Sequence, residues 1–225
     1  MKKVSIAVIG GAAMTFASLA QAADLPYRSA APGNYDYPPS FTWGGFYAGL
    51  NAGAGFGAFN GTGAPYFGDN PSGWLLGFTG GYNYQSGNLV VGVEGDYDWS
   101  RIASDATVFP GVASTGIVQD VSTIRARFGY AMDRILIYGT GGYAGGSIRG
   151  VISNFGRSSF SDQSYWSNGF ALGLGAEYAI TPHITAKAEY LYTSLGSNTY
   201  FAGSVNVSQV GANLNLLRAG LNYKF

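Results

Sequence analysis

Apolar residues recur at every second position along most of this chain. In WGGFYAGLNAGAGF, Phe46, Ala48, Leu50, Ala52, Ala54 and Phe56 share one face, opposite Tyr47, Gly49, Asn51, Gly53 and Gly55. Successive side chains of a strand point to opposite faces, so the alternation marks a strand with two different surroundings. Trp74 to Tyr84 repeats the pattern. In LVVGVEGDYDW, Leu89, Val91, Val93, Tyr97 and Trp99 oppose Glu94, Asp96 and Asp98. A fourth stretch sets Ile124, Ala126, Phe128, Tyr130 and Met132 against Thr123, Arg125, Arg127 and Gly129. The fifth, Ile135 to about Gly146, is apolar on both faces, and alternation gives it no orientation. The sixth, Trp166 to Ile180, sets Phe170, Leu172, Leu174, Ala176 and Tyr178 against Gly169, Ala171, Gly173, Gly175 and Glu177. The seventh sets Ile184, Ala186, Ala188, Tyr190 and Tyr192 against Thr185, Lys187, Glu189 and Leu191. In the last, LLRAGLNYKF, Leu217, Ala219, Leu221, Tyr223 and Phe225 alternate with Arg218, Asn222 and Lys224.

The connections carry a second signal. Stretches two and three, four and five, and six and seven are joined by the tight links QSGN, DR and TPH. The other connections are polar, rich in Gly, Ser and Asn, and roughly 15 to 20 residues long. Short turns at one end and long loops at the other are the layout of an outer-membrane barrel. Most stretches also reach the roughly 9–11 residues that a tilted bilayer-spanning strand needs. The pattern predicts an all-β fold, an eight-stranded antiparallel up-and-down transmembrane β-barrel over residues 43–225, with both termini periplasmic. Trp74, Trp99 and Trp166 fall at the long-loop rim, and Trp43 and Phe225 at the opposite rim, as an aromatic girdle would.

Composition supports lipid contact. Aromatics reach 16% and charged residues only 11%, against roughly 25% charged in ordinary soluble domains. The start reads as a secretory signal peptide over residues 1–22: Lys2 and Lys3, an apolar run, then Ala20-Gln21-Ala22. The AVIGGAA within it lacks the spaced glycines, helix and distant acid of a dinucleotide-binding turn. Residues 23–42, rich in proline and tyrosine, read as a periplasmic strap. Losing the two leader lysines leaves 10 basic groups against 12 acidic ones, which offers nucleic acid no footprint. With 0 cysteines there is neither a disulfide framework nor a thiolate metal site.

The strand-borne charges fall opposite the apolar stripes: Glu94, Asp96, Asp98, Glu177 and Glu189 with Arg125, Arg127, Lys187, Arg218 and Lys224. An eight-stranded barrel is only wide enough for its own side chains to fill it, and an unpaired buried charge costs several kcal/mol. These ten groups are therefore expected to form a neutral, salt-bridged plug, with inward glycines of the first and sixth strands making room. A narrow ion path is the functional alternative. Catalysis is not expected, because no His, Ser or Cys constellation accompanies the carboxylates. His183, beside Pro182 in a short turn, reads as a solvated residue, and no metal or cofactor is implied.

The segments ADLP, WGGFYAGLNAG, VGVEGDYDW, YGTGGYAGG, AEYAITPHITAKAEYLY and LNYKF resemble the small outer-membrane barrel proteins of alphaproteobacteria. That family includes surface antigens and hemin-binding proteins, and is loosely related to the OmpA transmembrane barrel. The resemblance spans essentially the whole chain. It implies outer-membrane lipid and lipopolysaccharide as surroundings. It also implies that the assembly machinery reads the terminal aromatic strand, through Tyr223 and Phe225. The expected function is a non-enzymatic surface and structural protein of the envelope that meets an extracellular ligand at its loops. A porin-like pore, or hemin capture by loop tyrosines such as Tyr66, Tyr165 and Tyr200, are the alternatives.

Overall fold

The computed structural model describes residues 41–109, 112–154, 157–200 and 208–225. The expected leader, and the strap apart from Phe41 and Thr42, lie outside the described residues. Eight strands follow in chain order: β1 (Gly45–Asn60), β2 (Ser72–Ser86), β3 (Leu89–Phe109), β4 (Val112–Met132), β5 (Ile135–Asn154), β6 (Arg157–Ala179), β7 (Ile184–Tyr200) and β8 (Ser208–Lys224). Each pairs antiparallel with the next, and β8 closes on β1 to make a closed barrel. The closing seam pairs Ala48 with Tyr223, Leu50 with Leu221 and Ala54 with Leu217. Closure satisfies every strand's backbone within the protein, which a lipid environment demands.

The strands run well past the stretches that alternation marks. β3 and β4 stay paired to Phe109 and Val112, and β5 and β6 to Asn154 and Arg157. Two of the expected long loops are thus mostly hairpin. Their polar composition reflects a β-ribbon wet on its outer face, whereas Trp99 and Trp166 mark the edge of the lipid band and not the end of a strand. The β1–β2 connection holds a short 3-10 turn, Ala64–Tyr66. At the other end the turns are tight, and Gly87 (φ 58) and Asp133 (φ 50) supply the left-handed backbone they need.

β5, ambiguous in sequence, has a definite orientation: Leu136, Tyr138, Ala144 and Ile148 are buried, and Ile135, Ile137 and Tyr143 face out. The lipid face is made of exposed large apolar side chains, among them Leu50, Ile124 and Leu174 at 67–69% exposure. A soluble protein rarely exposes so continuous an apolar belt.

The lumen is filled in three layers. At the turn end Trp43 joins Val90, Ala131, Leu136, Tyr138 and Ala179 in an apolar cluster. At the hairpin end a larger cluster includes Phe59, Phe67, Leu75, Ile102, Ile148, Leu195, Tyr200 and Leu214. Between them lie the buried charges.

A charged layer sealed between two corks

The charged layer is built where inward positions of β3, β4, β6, β7 and β8 meet. Glu94 is directly opposite Arg125 in the β3–β4 ladder, Glu177 opposite Lys187 in β6–β7, and Glu189 opposite Arg218 in β7–β8. Arg125 is the hub. Its guanidinium lies 2.7 Å from Glu94, 2.6 Å from Asp96 and 2.8 Å from Glu189. It also donates to Thr123 at 3.0 Å and Thr140 at 2.8 Å. Arg218 donates to Asp98 Oδ2 at 2.7 Å and to Glu189, and lies 3.4 Å from Asp96. Arg127 donates to Glu177 and stacks with its guanidinium carbon 3.7 Å from the Tyr138 ring centroid. Lys187 Nζ is 3.3 Å from Glu94. All nine of these groups are at most 5% exposed.

Lys224 is not among them. It is only half-buried, at the turn-end mouth, with Nζ 5.2 Å from the Phe41 ring centroid. It is the last residue of β8, at the rim and short of the layer. The expected balance of five acids and five bases is therefore corrected to five carboxylates against four cations.

Trp43 also departs from its expected place. It is 2% exposed and lies inside the barrel, not in the girdle. Its backbone N–H donates to Gln85 Oε1 at 2.6 Å, and its indole N–H crosses to the carbonyl of Asp133 at 3.1 Å. The chain entering β1 thus folds over the mouth and drops an indole into it. The girdle at this end consists instead of Tyr82, Tyr84, Tyr130, Tyr178, Tyr223 and Phe225, all exposed on the outer face. Phe225 donates its N–H to Phe46 O at 3.0 Å, and the Tyr223 ring stacks on His183, 5.8 Å between centroids. His183 is exposed, with Nδ1 3.1 Å from Lys224 O. Trp74, Trp99 and Trp166 face outward near the hairpin end, and the Trp166 indole donates to Asn168 Oδ1 at 3.1 Å.

The second cork is Phe67, fully buried although it comes from the β1–β2 connection. Its ring meets Phe59 at 5.5 Å and Tyr200 at 5.1 Å. Inward glycines form its socket: a Cβ on Gly116 or Gly150 would lie 2.8 or 2.6 Å from the ring. Tyr200 folds in beside it and donates its hydroxyl to Ile148 O at 2.8 Å. Of the tyrosines expected to capture hemin, Tyr165 and Tyr200 meet edge to face at 5.0 Å. Tyr200 is fully buried and its hydroxyl engaged, whereas Tyr165 is exposed. The Tyr66 side chain lies outside the described residues. Beyond the Trp166 girdle, hydrogen bonding by Arg149 (Nε to Oδ1 2.7 Å) holds the exposed Asp162 carboxyl below its ordinary range.

Several residues that complete the layer escaped sequence reasoning. The Tyr47 hydroxyl donates to Glu94 at 2.8 Å and accepts from Arg127 at 3.2 Å. Thr185 and Asn222 both donate to Glu177. Alternation does place Tyr47 and Asn222 inward, but nothing in it pairs them with a charge. Tyr138 lay on the strand without an assigned face. Space comes from inward glycines: a Cβ on Gly175 would lie 2.4 Å from the Tyr138 ring, and one on Gly77 2.2 Å from Asp98 Oδ1. No set of three or more His, Cys, Asp or Glu among the described residues is placed to hold a metal ion.

Comparison with known proteins agrees with this architecture. Residues 9–225 match the profile of the outer membrane protein beta-barrel domain. The chain is 36% identical over 246 residues, all of both chains, to the 31 kDa outer-membrane immunogenic protein of Brucella melitensis. It is 30% identical to the 25 kDa outer-membrane immunogenic protein of Brucella abortus, over 98% of each chain. It is 33% identical to the 22 kDa outer membrane protein of Rhizobium leguminosarum bv. viciae, over 83% of this chain and 80% of that one. Among solved structures, Neisserial surface protein A (TM-score 0.48, 18% identity) covers 80% of this chain and 97% of its own. Ail of Yersinia pestis (TM-score 0.46, 17% identity) covers 80% and 99%. A closed eight-stranded barrel with a lipid-facing belt, matched over nearly its whole length by that profile, belongs to the outer-membrane β-barrel family and resides in the outer membrane.

Proposed function

We propose that this protein is a non-enzymatic, non-conducting barrel that contributes to envelope integrity and presents its long hairpins outside the cell. In this reading both termini are periplasmic, and the partners are outer-membrane lipid, lipopolysaccharide and an extracellular ligand at the hairpins. Tyr223 and Phe225 are what the assembly machinery reads. The observation that carries the proposal is the closed lumen. Trp43 stops one mouth, Phe67 the other, and the charges between them are engaged with one another. A porin-like path would need water past all three layers, and a catalyst would need a substrate-accessible acid or base.

Refolded protein in planar bilayers should give no stable unit conductance. Reproducible single-channel steps that change when Arg125 or Glu94 is substituted would replace this reading with the pore.

A further inference from the structure

The charged layer is one positive charge short. Glu94, Asp96, Glu177 and Glu189 each have two or more partners in the network of Arg125, Arg127, Lys187 and Arg218 and their neighbouring hydroxyl and amide groups. Asp98 differs in having Arg218 as its one charged partner, whereas Asp96 Oδ1, which likewise accepts no hydrogen bond, lies 3.4 Å from Arg218. Asp98 Oδ2 accepts from Arg218 at 2.7 Å, while Oδ1, fully buried, accepts no hydrogen bond. Beside it lies Asn51 of β1, 2% exposed, whose amide oxygen and nitrogen both lack a hydrogen bond of acceptable geometry. A buried amide with neither atom engaged is rare, and an uncompensated buried charge is costly. Both anomalies fall at one place.

We propose that the layer binds one further small positive charge at Asp98 and Asn51, supplied either by a sodium-class cation or by a proton. Carboxylate and amide oxygens are the ligands a hard cation takes. A proton on Asp98 Oδ1 would equally be donated to the Asn51 amide oxygen. Either source engages Asp98 Oδ1 and the Asn51 amide oxygen, and brings five carboxylates into balance with five positive charges. The charged groups around Asp98 are Arg218 from β8 and Asp96 on its own strand, with Glu189 of β7 reached through Arg218. Its ladder partners, Gly77 of β2 and Val121 of β4, are uncharged.

The test uses the refolded chain in lipid vesicles near neutral pH. Its melting temperature is measured in sodium chloride and in N-methylglucamine chloride at equal ionic strength, and the infrared carbonyl region is searched for a protonated carboxyl. The wild type should show a sodium-dependent rise in melting temperature or one protonated-carboxyl band. Asp98→Asn, which removes the surplus charge at constant shape, should show neither and should melt no lower than the wild type. A wild type with no sodium dependence and every carboxyl ionised overturns the proposal, even if the variant does not fold. So does a sodium response or band that persists in Asp98→Asn.

Discussion

Replacing Arg125 by methionine tests whether the charged layer holds the barrel together. Methionine fills much of the volume of the arginine stem and removes only the guanidinium. Three ion pairs, at 2.7, 2.6 and 2.8 Å, disappear together with hydrogen bonds to Thr123 and Thr140. Removing one partner of a buried ion pair costs about 3–5 kcal/mol. None of the three carboxylates is left bare, however. Glu94 keeps Lys187 at 3.3 Å, Asp96 keeps Arg218 at 3.4 Å, and Glu189 keeps Arg218. The expected loss therefore sits at the low end, about 3 kcal/mol. Equilibrium urea unfolding in lipid vesicles, followed by tryptophan fluorescence, should show a lower midpoint at unchanged slope. Adding Glu189→Gln returns the surplus of carboxylates to its wild-type value of one. The double variant should recover part of the loss, with a coupling of about 0.5–3 kcal/mol. An Arg125→Met barrel that unfolds at the wild-type midpoint, or a double variant whose cost is the sum of the two single ones, would refute the reasoning.

Trp43→Ala empties a site only 2% exposed and should cost about 3–5 kcal/mol in urea unfolding. It should leave planar bilayers silent, because the charged and hairpin-end layers still block the lumen. Gly150→Val puts a branched side chain where a Cβ alone would lie 2.6 Å from the Phe67 ring. It should expel that ring and mimic Phe67→Ala, at about 3 kcal/mol, with protease cutting the β1–β2 connection in both. The combined variant should cost less than the sum, since valine then occupies the vacated socket. Arg149→Gln should raise the pKa of Asp162, read by NMR titration, towards the ordinary carboxylate range. Because that pKa is lowered by Arg149 in the folded barrel, the pair's stabilisation is present near neutral pH. It is lost as pH falls through the lowered value.

What the sequence made legible follows from what repeats in it. Strand count, closure and the lipid face all come from a two-residue period, and Leu50, Ile124 and Leu174 stand where that period puts them. The charged residues were legible as a set because a charge on a lipid-facing position is expensive, so alternation sorts them to the inside. Their partners were not. Arg218 engages Asp98 across 120 residues of chain and Arg127 engages Glu177 across 50, and such pairings depend on how far each strand is staggered against the next. Lys224 illustrates the same limit: it has the parity of the inner face, but its height along the barrel keeps it at the mouth.

The two corks were invisible for a different reason. Trp43 and Phe67 belong to non-repeating segments, and an aromatic residue just outside a strand reads equally well as girdle or plug. The sign that separates them is on other strands. Gly116 and Gly150 leave room for the Phe67 ring, and the Asp133 carbonyl receives the Trp43 indole. Inward glycines on β4 and β5 have no reason to be small unless something large arrives from elsewhere. A barrel that conducted would leave such positions facing water, with no ring to accommodate. Here the space they open is filled from the chain's own connecting segments, and that filling, more than the charge of the lumen, is what supports the proposed surface scaffold over a pore.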